Sequence, residues 1–355
     1  MPFFLVLMVL ALFFTVHFTV VYRLCYLLRE SSLKKSLYWT FASLLSVPLL
    51  LVSFAFETAL LNAVCLYYTT FIFLLFFITL FYMLVFRIGY LKGRKKLELS
   101  LVFLTLFLYV SYGIVNANRF VVKEVHLESA KVHSPVTFVQ LTDTHIGSKS
   151  PVYFDKLIEE VNALEKDFVV ITGDLIDMPH IQFNDLKALN TISVPVFFVM
   201  GNHDVMARMS PDFFKASRVM VLNNEKAVFN EDLDITGINF YDPDNAFETR
   251  KVEDLISHID LDNSKFNLAL NHEPIQLQPV IDREMDLQVS GHTHSGQIFP
   301  FNYVVKLRYD YLYGLFKLSE HTQLYVSSGA GVWGPNMRVG SKNEIVLFKI
   351  KPKNR

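Results

Sequence analysis

Val136-Thr137-Phe138-Val139-Gln140-Leu141-Thr142-Asp143-Thr144-His145 is an apolar run that stops on an acidic residue and a histidine two positions apart. Its length and β-branched content read as a buried strand, with Asp143 and His145 just past its end. The same device recurs four times downstream. Phe168–Thr172 runs into Gly173-Asp174, and Val194–Met200 runs into Gly201-Asn202-His203-Asp204. Phe266–Asn271 runs into His272, and Asp286–Ser290 runs into Gly291-His292-Thr293-His294. Each block is built of Asp, Asn and His, the oxygen and imidazole donors that hold divalent cations. Open α/β sheets bind ligands beyond the carboxyl ends of their strands, where rigid backbone holds side chains precisely. The glycine before each of three blocks (Gly173, Gly201, Gly291) permits a sharp turn and a close approach.

Working outward, Phe120–Val125 reads as a first strand within a polar linker of residues 116–134. Tyr153–Leu164 has helical spacing, with Phe154, Leu157, Ile158, Val161 and Leu164 on one face. A helix follows around Phe183–Leu189, and further strands at Leu233–Phe240, Gln323–Ser327 and Glu344–Ile350. The order, alternating β and α first and mostly β later, predicts an α/β domain over residues 135–350. It is a sandwich of two mixed β-sheets flanked by helices. Lys351–Arg355 reads as a solvated tail.

Residues 1–115 are of another kind. The chain is 52% hydrophobic with mean hydropathy +0.32. Residues 1–115 hold nine Lys/Arg and three Asp/Glu (+6), leaving 24 basic and 31 acidic residues (−7) for the rest. Phe3–Val21 carries no charge, and Leu37–Phe86 carries only Glu57. As one helix the latter would be about 75 Å long, far beyond the roughly 30 Å of a bilayer core. It must fold back. The expectation is an all-α transmembrane region of four helices: Phe3–Val21, Leu37–Phe56 (kinked at Pro48), Leu60–Phe86 and Leu99–Val115. A cleaved signal peptide is not expected, because no basic segment or small-residue cleavage site accompanies the first run. Basic residues gather in the first loop (Arg23, Arg29, Lys34, Lys35) and the third (Arg87, Lys92, Arg94, Lys95, Lys96). The positive-inside rule makes those loops cytoplasmic and the catalytic domain extracytoplasmic. His17, inside the first span, reads as a hydrogen-bonded packing residue.

An acidic C-terminal half is a poor partner for nucleic acid, and none is expected. The two cysteines, Cys25 and Cys65, lie in the apolar half, so the catalytic half has no thiolate ligand. Oxygen and nitrogen donors then favour two Mn, Fe or Zn ions. Two cations about 3.5–4 Å apart call for a shared carboxylate, and Asp174 is the candidate bridge. Asp143 and His145 hold one cation with one of the two closing histidines. Asn202, His272 and the other closing histidine hold the second. Hydroxide formed between the cations would attack phosphorus in line. His203 is left as proton donor to the departing oxygen, with Asp204 orienting it and holding its charge.

These five blocks, in this order, resemble the calcineurin-like metallophosphoesterase superfamily over residues 135–350. Gly291-His292-Thr293-His294-Ser295-Gly296-Gln297, Tyr313-Gly314, Tyr325–Arg338 and Glu344-Ile345 are similar to its bacterial membrane-associated branch. The resemblance implies that Asp143, His145, Asp174 and His294 bind the first metal. It implies that Asp174, Asn202, His272 and His292 bind the second, with His203 catalytic. Protein Ser/Thr phosphatases of this superfamily carry Asp-Arg-Gly and Asn-His-Glu, where this chain has Asp174-Leu175-Ile176 and Asn202-His203-Asp204. Protein phosphatase activity is therefore not expected.

Other residues carry less. Asp177 can buttress the site or cap a helix, and Arg338 can contact phosphate. Phe299–Phe316, with seven aromatic residues plus Lys306 and Arg308, reads either as a membrane-interface segment or as a packed β-hairpin. The leading expectation is a multi-pass membrane phosphoesterase acting on a monoester, diester or pyrophosphate of a lipid or cell-envelope substrate. A cytoplasmic-face hydrolase of the UDP-diacylglucosamine type is the rival enzyme. A membrane receptor or transporter with a metal-binding domain is the non-enzyme alternative.

Overall fold

The computed structural model describes residues 3–28, 33–44, 59–87, 92–239 and 256–353. The chain divides into two compact units, Met1–Tyr112 and Gly113–Arg355.

The first unit is helical: α1 (Phe3–Leu27), α2 (Leu33–Leu44), α3 (Ala59–Val85) and α4 (Lys95–Asn116, which continues into the second unit). Among the described residues two helices, Val64–Val85 and Lys95–Asn116, are long and apolar enough to cross a membrane, and Ala11–Leu27 is a shorter apolar stretch. Two of the four expected spans, Leu60–Phe86 and Leu99–Val115, therefore have a counterpart among the described residues. The span expected at Leu37–Phe56 is described only to Leu44, so Pro48 and the Glu57 loop lie outside the described residues. Phe103, Phe107, Leu108 and Tyr112 of α4 are exposed. A helix with apolar side chains all round needs lipid or protein around it. His17 hydrogen-bonds the Phe13 carbonyl at 2.7 Å and the Tyr68 hydroxyl at 3.0 Å. Arg23, assigned to the first loop, instead lies within α1 and pairs bidentately with buried Glu98 of α4 at 2.7 and 2.5 Å. That pair sets the end of α1 beside the start of α4.

The second unit contains twelve described strands in two six-stranded sheets. The first sheet runs β1 (Phe120–Ser129), β12 (Asn343–Pro352), β2 (Val136–Leu141), β3 (Phe168–Thr172), β4 (Val196–Val199) and β5 (Val219–Val221). Only the β12–β2 pair is antiparallel. The second sheet runs β10 (Gly314–Lys317), β11 (Gln323–Val326), β9 (Leu287–Ser290), β8 (Phe266–Asn271), β7 (Leu233–Ile238) and β6 (Glu225–Val228). Its β11, β9, β8 and β7 are parallel, with antiparallel strands at both edges. The expected two mixed sheets with flanking helices are what forms.

Alternation along the strands builds the layers. Phe138, Val170, Phe197 and Phe348 of the first sheet meet Ile235, Leu268, Val289 and Tyr325 of the second in one buried core. The opposite face of the first sheet (Val139, Leu141, Val169, Ile171) packs on Phe154, Leu157, Ile158 and Val161 of helix α5 (Pro151–Asn162). Ser150 caps that helix, accepting the Tyr153 N–H, and Pro151 occupies its first turn. Beyond the second sheet, Ala269 packs with Val280 and Met285 around the short helix Gln278–Asp282.

Several boundaries moved. The segment expected as a polar linker is mostly β1, ten residues long and paired in parallel with β12. The strand expected at Phe120–Val125 forms there and continues to Ser129, exposing most of its first half as an edge strand does. The helix expected around Phe183–Leu189 forms as a 3₁₀ segment, Phe183–Thr191. Strands β5, β6 and β10 were not anticipated. Each is three or four residues long and lies at a sheet edge or beside it, too short to show a period. The strand expected to Phe240 is described to Ile238.

Candidate metal centre

Parallel strands place their carboxyl ends on one rim, and the five blocks meet there. Asp143 and His145 follow β2, Asp174 follows β3, and Asn202 opens a short helix, Asn202–Met206, just after β4. His272 follows β8, and His292 and His294 follow β9. Five of these seven residues have positive φ: Asp143 (54°), His145 (48°), Asp174 (52°), His292 (69°) and His294 (49°). Such conformations are strained for side-chain-bearing residues and persist where surrounding structure holds them. Backbone pairing does so here: Asp143 N–H donates to the Gly173 carbonyl and His145 N–H to the Asp174 carbonyl, each at 3.0 Å. Gly173, at φ +85°, lies where a Cβ would sit 2.7 Å from Gly201 backbone and from His272 Nδ1. Any larger residue would push two ligand loops apart.

The donors converge in two sets that share Asp174. His145 Nε2 lies 3.0 Å from His294 Nε2, and Asp143 Oδ1 lies 3.4 Å from His294 Nε2. Asp174 Oδ2 lies 3.7 Å from His145 Nε2 and 3.2 Å from His272 Nε2. On that second side, His292 Nδ1 lies 3.1 Å from His272 Nε2 and 3.0 Å from Asn202 Oδ1. The geometry brings together all seven expected ligands, His294 on the Asp143 side and His292 on the Asn202 side. Asp143–His145–His294, His145–Asp174–His203 and Asp174–His272–His292 each gather donor atoms within 4.8 Å of one another.

The donor chemistry fits divalent cations. Imidazole nitrogens face each other at hydrogen-bond distance inside the protein, beside two buried carboxylates. Burial holds His145 and His294 well below the usual histidine range, and burial next to His272 brings His292 down to about 3. These three are neutral, ligand-competent rings. Burial also pushes the Asp143 carboxyl up to about 6, against the pull of His272. At Asp174 the same burial is outweighed, chiefly by His272, which holds its carboxyl well below the usual range. Burial opposes charge on His272, yet Asp174 and Asp143 raise it to about 10. One imidazolium proton thus balances the carboxylates, the task a cation would take over.

Outer contacts aim the rings, as is usual for metal-ligating histidines. His272 Nδ1 meets the Thr172 carbonyl at 2.8 Å, leaving Nε2 for the centre. His292 turns Nδ1 inward, while Nε2 meets the Tyr309 hydroxyl at 2.7 Å and Glu273 Oε1 at 3.2 Å. Asp177 accepts the Ser148 N–H at 2.9 Å and lies 3.8 Å from His145 Nδ1, so it buttresses that loop. Tyr309 and Glu273 were not singled out as site residues from sequence. Glu273 adjoins His272, but nothing local marks Tyr309, 17 residues beyond His292.

Two expected roles change. Asp204 does not reach the His203 ring in any described hydrogen bond. It is fully buried, with Oδ1 accepting the N–H groups of Leu175 and Ile176 and Oδ2 accepting that of Gly201, at 2.9–3.0 Å. Adjacent helical positions point about 100° apart, so neighbours in sequence do not share a direction. Arg338 is also fully buried, its Nη2 3.2 Å from His294 Nδ1 on the side of that ring turned away from the other ligands. Its guanidinium donates to the Ser328 carbonyl (2.6 Å), the Gly331 carbonyl (2.7 Å), the His294 carbonyl (3.3 Å) and Ser341 Oγ (3.0 Å). It pins the loop bearing His294.

His203 is half-buried at the rim, its ring edge-on to His145 at 4.7 Å and 6.0 Å from the Trp333 ring. Its backbone N–H donates to Asp174 Oδ1 at 2.8 Å. Asn202, His203 and His292 are the partly exposed members of the cluster and form its mouth.

The family model described as calcineurin-like phosphoesterase matches residues 136–296. An uncharacterized metallophosphoesterase of Campylobacter jejuni is 36% identical over 282 residues, covering 73% of this chain and 71% of the relative. One from Helicobacter pylori is 34% identical over 291 residues, covering 76% and 75%. A transmembrane protein with metallophosphoesterase domain from Bos taurus is 29% identical over 241 residues, covering 60% and 52%.

Proposed function

The chain belongs to the calcineurin-like phosphoesterase family, and from that premise we propose a membrane-anchored, binuclear-metal hydrolase of phosphate esters or pyrophosphates. The observation that carries this reading is the buried Asp174 carboxylate shared by two converging donor sets. Asp143, His145, Asp174 and His294 would hold one divalent cation; Asp174, Asn202, His272 and His292 would hold the other. Mn, Fe and Zn all suit these donors. When bound, such ions acidify water and neutralise phosphoryl oxygens.

The chain's own residues do the rest. The Thr172 carbonyl and Tyr309 aim His272 and His292, and Asp204 and Arg338 hold three ligand loops in register. His203, at the open rim, delivers a proton to the departing oxygen. Two candidate membrane helices and the transmembrane relatives support membrane anchoring, with lipid or cell-envelope phosphate as the substrate class. The clustering of basic residues in the N-terminal loops favours an extracytoplasmic catalytic domain. The UDP-diacylglucosamine-type reading needs the opposite side.

The test is hydrolysis of bis(4-nitrophenyl) phosphate by the full chain in detergent with added Mn. Asp174→Asn should remove nearly all turnover and reduce bound metal at both positions. Wild-type activity with unchanged metal content in that variant would sink the proposal.

A further inference from the structure

The segment after the metal histidines exposes apolar side chains where the second unit begins. Leu307 is 88% exposed, and Tyr303, Val304, Phe299 and Trp333 are also exposed. Tyr303 and Val304 lie on the short helical turn Asn302–Val305, Phe299 meets the Tyr303 ring at 6.0 Å, and Leu307 N–H donates to the Val304 carbonyl. Trp333 is tied to the start of the segment by its backbone hydrogen bonds with the Gln297 side chain. Exposed Lys306 and Arg308 flank them, with Asp310 beyond. Contiguous exposed apolar surface marks an interaction site rather than ordinary solvent-facing structure.

Hydrogen bonds tie this surface to the end of α4. Phe299 N–H donates to the Val339 carbonyl at 2.8 Å, and the adjacent Arg338 N–H donates to the Gly113 carbonyl at 2.9 Å. Asn116 Nδ2 donates to the carbonyls of Arg338 (3.0 Å) and Ser341 (2.8 Å). Lys149 Nζ donates to the Ala117 carbonyl at 2.6 Å. Ile114 and Val115, on that last turn of α4, are themselves exposed. Phe299 therefore lies two hydrogen-bonded steps from the point where a membrane-length helix ends. The same surface reaches the site. Tyr309, two residues beyond Leu307, holds His292, and Trp333 lies against His203.

We propose that Phe299–Leu307 and Trp333 form a bilayer-contacting surface, which seats the mouth of the metal centre at headgroup depth. The substrate class this selects is the phosphate of a lipid headgroup. Position beside the helix exit identifies the bilayer as the occupant, and Lys306 and Arg308 suit lipid phosphates. The inference rests on reading α4 as a membrane span and, for the substrate class, on the phosphoesterase reading. It narrows the interface segment expected from sequence, Phe299–Phe316, to its first half and adds Trp333. Tyr309, Tyr311 and Tyr313 point elsewhere, onto His292, Phe316 and Glu344. Val304 and Leu307, with the exposed rings of Phe299, Tyr303 and Trp333, carry the contact.

The test is made on the full chain in phosphatidylcholine–phosphatidylglycerol vesicles. Leu307→Trp, in a Trp39→Phe and Trp333→Phe background, makes residue 307 the sole indole. Brominated acyl chains should quench its emission and aqueous iodide should not. Iodide quenching without bromine quenching would overturn the bilayer contact, and loss of both would point to burial against protein and also overturn it. Separately, Val304→Glu with Leu307→Glu should lower kcat/KM about tenfold or more on vesicle-borne hexadecyl 4-nitrophenyl phosphate. Methyl 4-nitrophenyl phosphate in solution should be little affected. Equal losses on both would refute the lipid-headgroup assignment. A wild-type chain that cleaves neither ester would instead indict the phosphoesterase reading, with the fluorescence result still deciding the surface.

Discussion

Asp204→Asn separates two accounts of a residue that sits between Asn202, His203 and the buried loops. If Asp204 served His203, the variant would change proton donation. In the structure it serves backbone: Leu175, Ile176 and Gly201 N–H groups at 2.9, 3.0 and 2.9 Å. An asparagine can keep Oδ1 on Leu175 and Ile176, but its amide nitrogen then faces the Gly201 N–H, donor against donor. Burial and the neighbouring Asp174 push the Asp204 carboxyl up to about 7, so above that pH the lost bond is one to a charged, buried acceptor, about 1.5–3 kcal/mol. Gly201 precedes Asn202, and Leu175 follows Asp174, so the loosened segments carry the shared carboxylate and a ligand of the second cation. If that energy appears in the preorganisation of these loops, metal affinity falls about 10- to 100-fold. Competition against a fluorescent chelator measures the affinity directly. Rates on aryl phosphodiesters of graded leaving-group pKa, taken at saturating metal, measure the proton donor. The expected result is weakened metal binding with an unchanged dependence on leaving group. Unchanged affinity with a steeper dependence would refute the backbone role and restore the pairing with His203.

His203→Ala should keep bound metal while losing about 10²–10⁴-fold on alkyl diesters and much less on nitrophenyl diesters, which depart without a proton. Equal losses on both would move His203 to a phosphoryl-oxygen contact. Tyr309→Phe removes the 2.7 Å contact to His292 Nε2 and should weaken the Asn202–His272–His292 position selectively, by about tenfold. Metal-to-protein ratios after graded dialysis would show it, and a uniform loss of both ions would count against it. A periplasmic-type reporter fused after Arg355 should be active and a cytoplasmic-type reporter silent. The reverse result would place the domain at the cytoplasmic face and revive a nucleotide-linked lipid substrate.

The blocks ending in His145, Asp174, Asn202, His272 and His294 were legible because their signals are local. A buried strand declares itself through its β-branched and aromatic content, and a ligand block through the turn after it. The amphipathic face of Pro151–Asn162 was legible for the same reason, since Phe154, Leu157, Ile158 and Val161 recur at helical spacing. Short edge strands such as Val219–Val221 were not, because three residues carry no period and pairing alone makes them strands.

Side-chain direction is the other thing a sequence does not contain. Asp204 looked like a partner of His203 because it stands next to it; the N–H groups it accepts from lie 28 and 29 residues back, at Ile176 and Leu175, and three back at Gly201. Arg338 looked like a phosphate clamp, yet its fork closes on carbonyls of the His294 and Gly331 loops. Tyr309 looked like one aromatic among seven and touches the ligand His292. Sequence alone determined which donors this protein brings to its strand ends, because composition and period are written along the chain. Only the tertiary structure decided which neighbours hold those donors, because that depends on loops distant in sequence meeting at one rim.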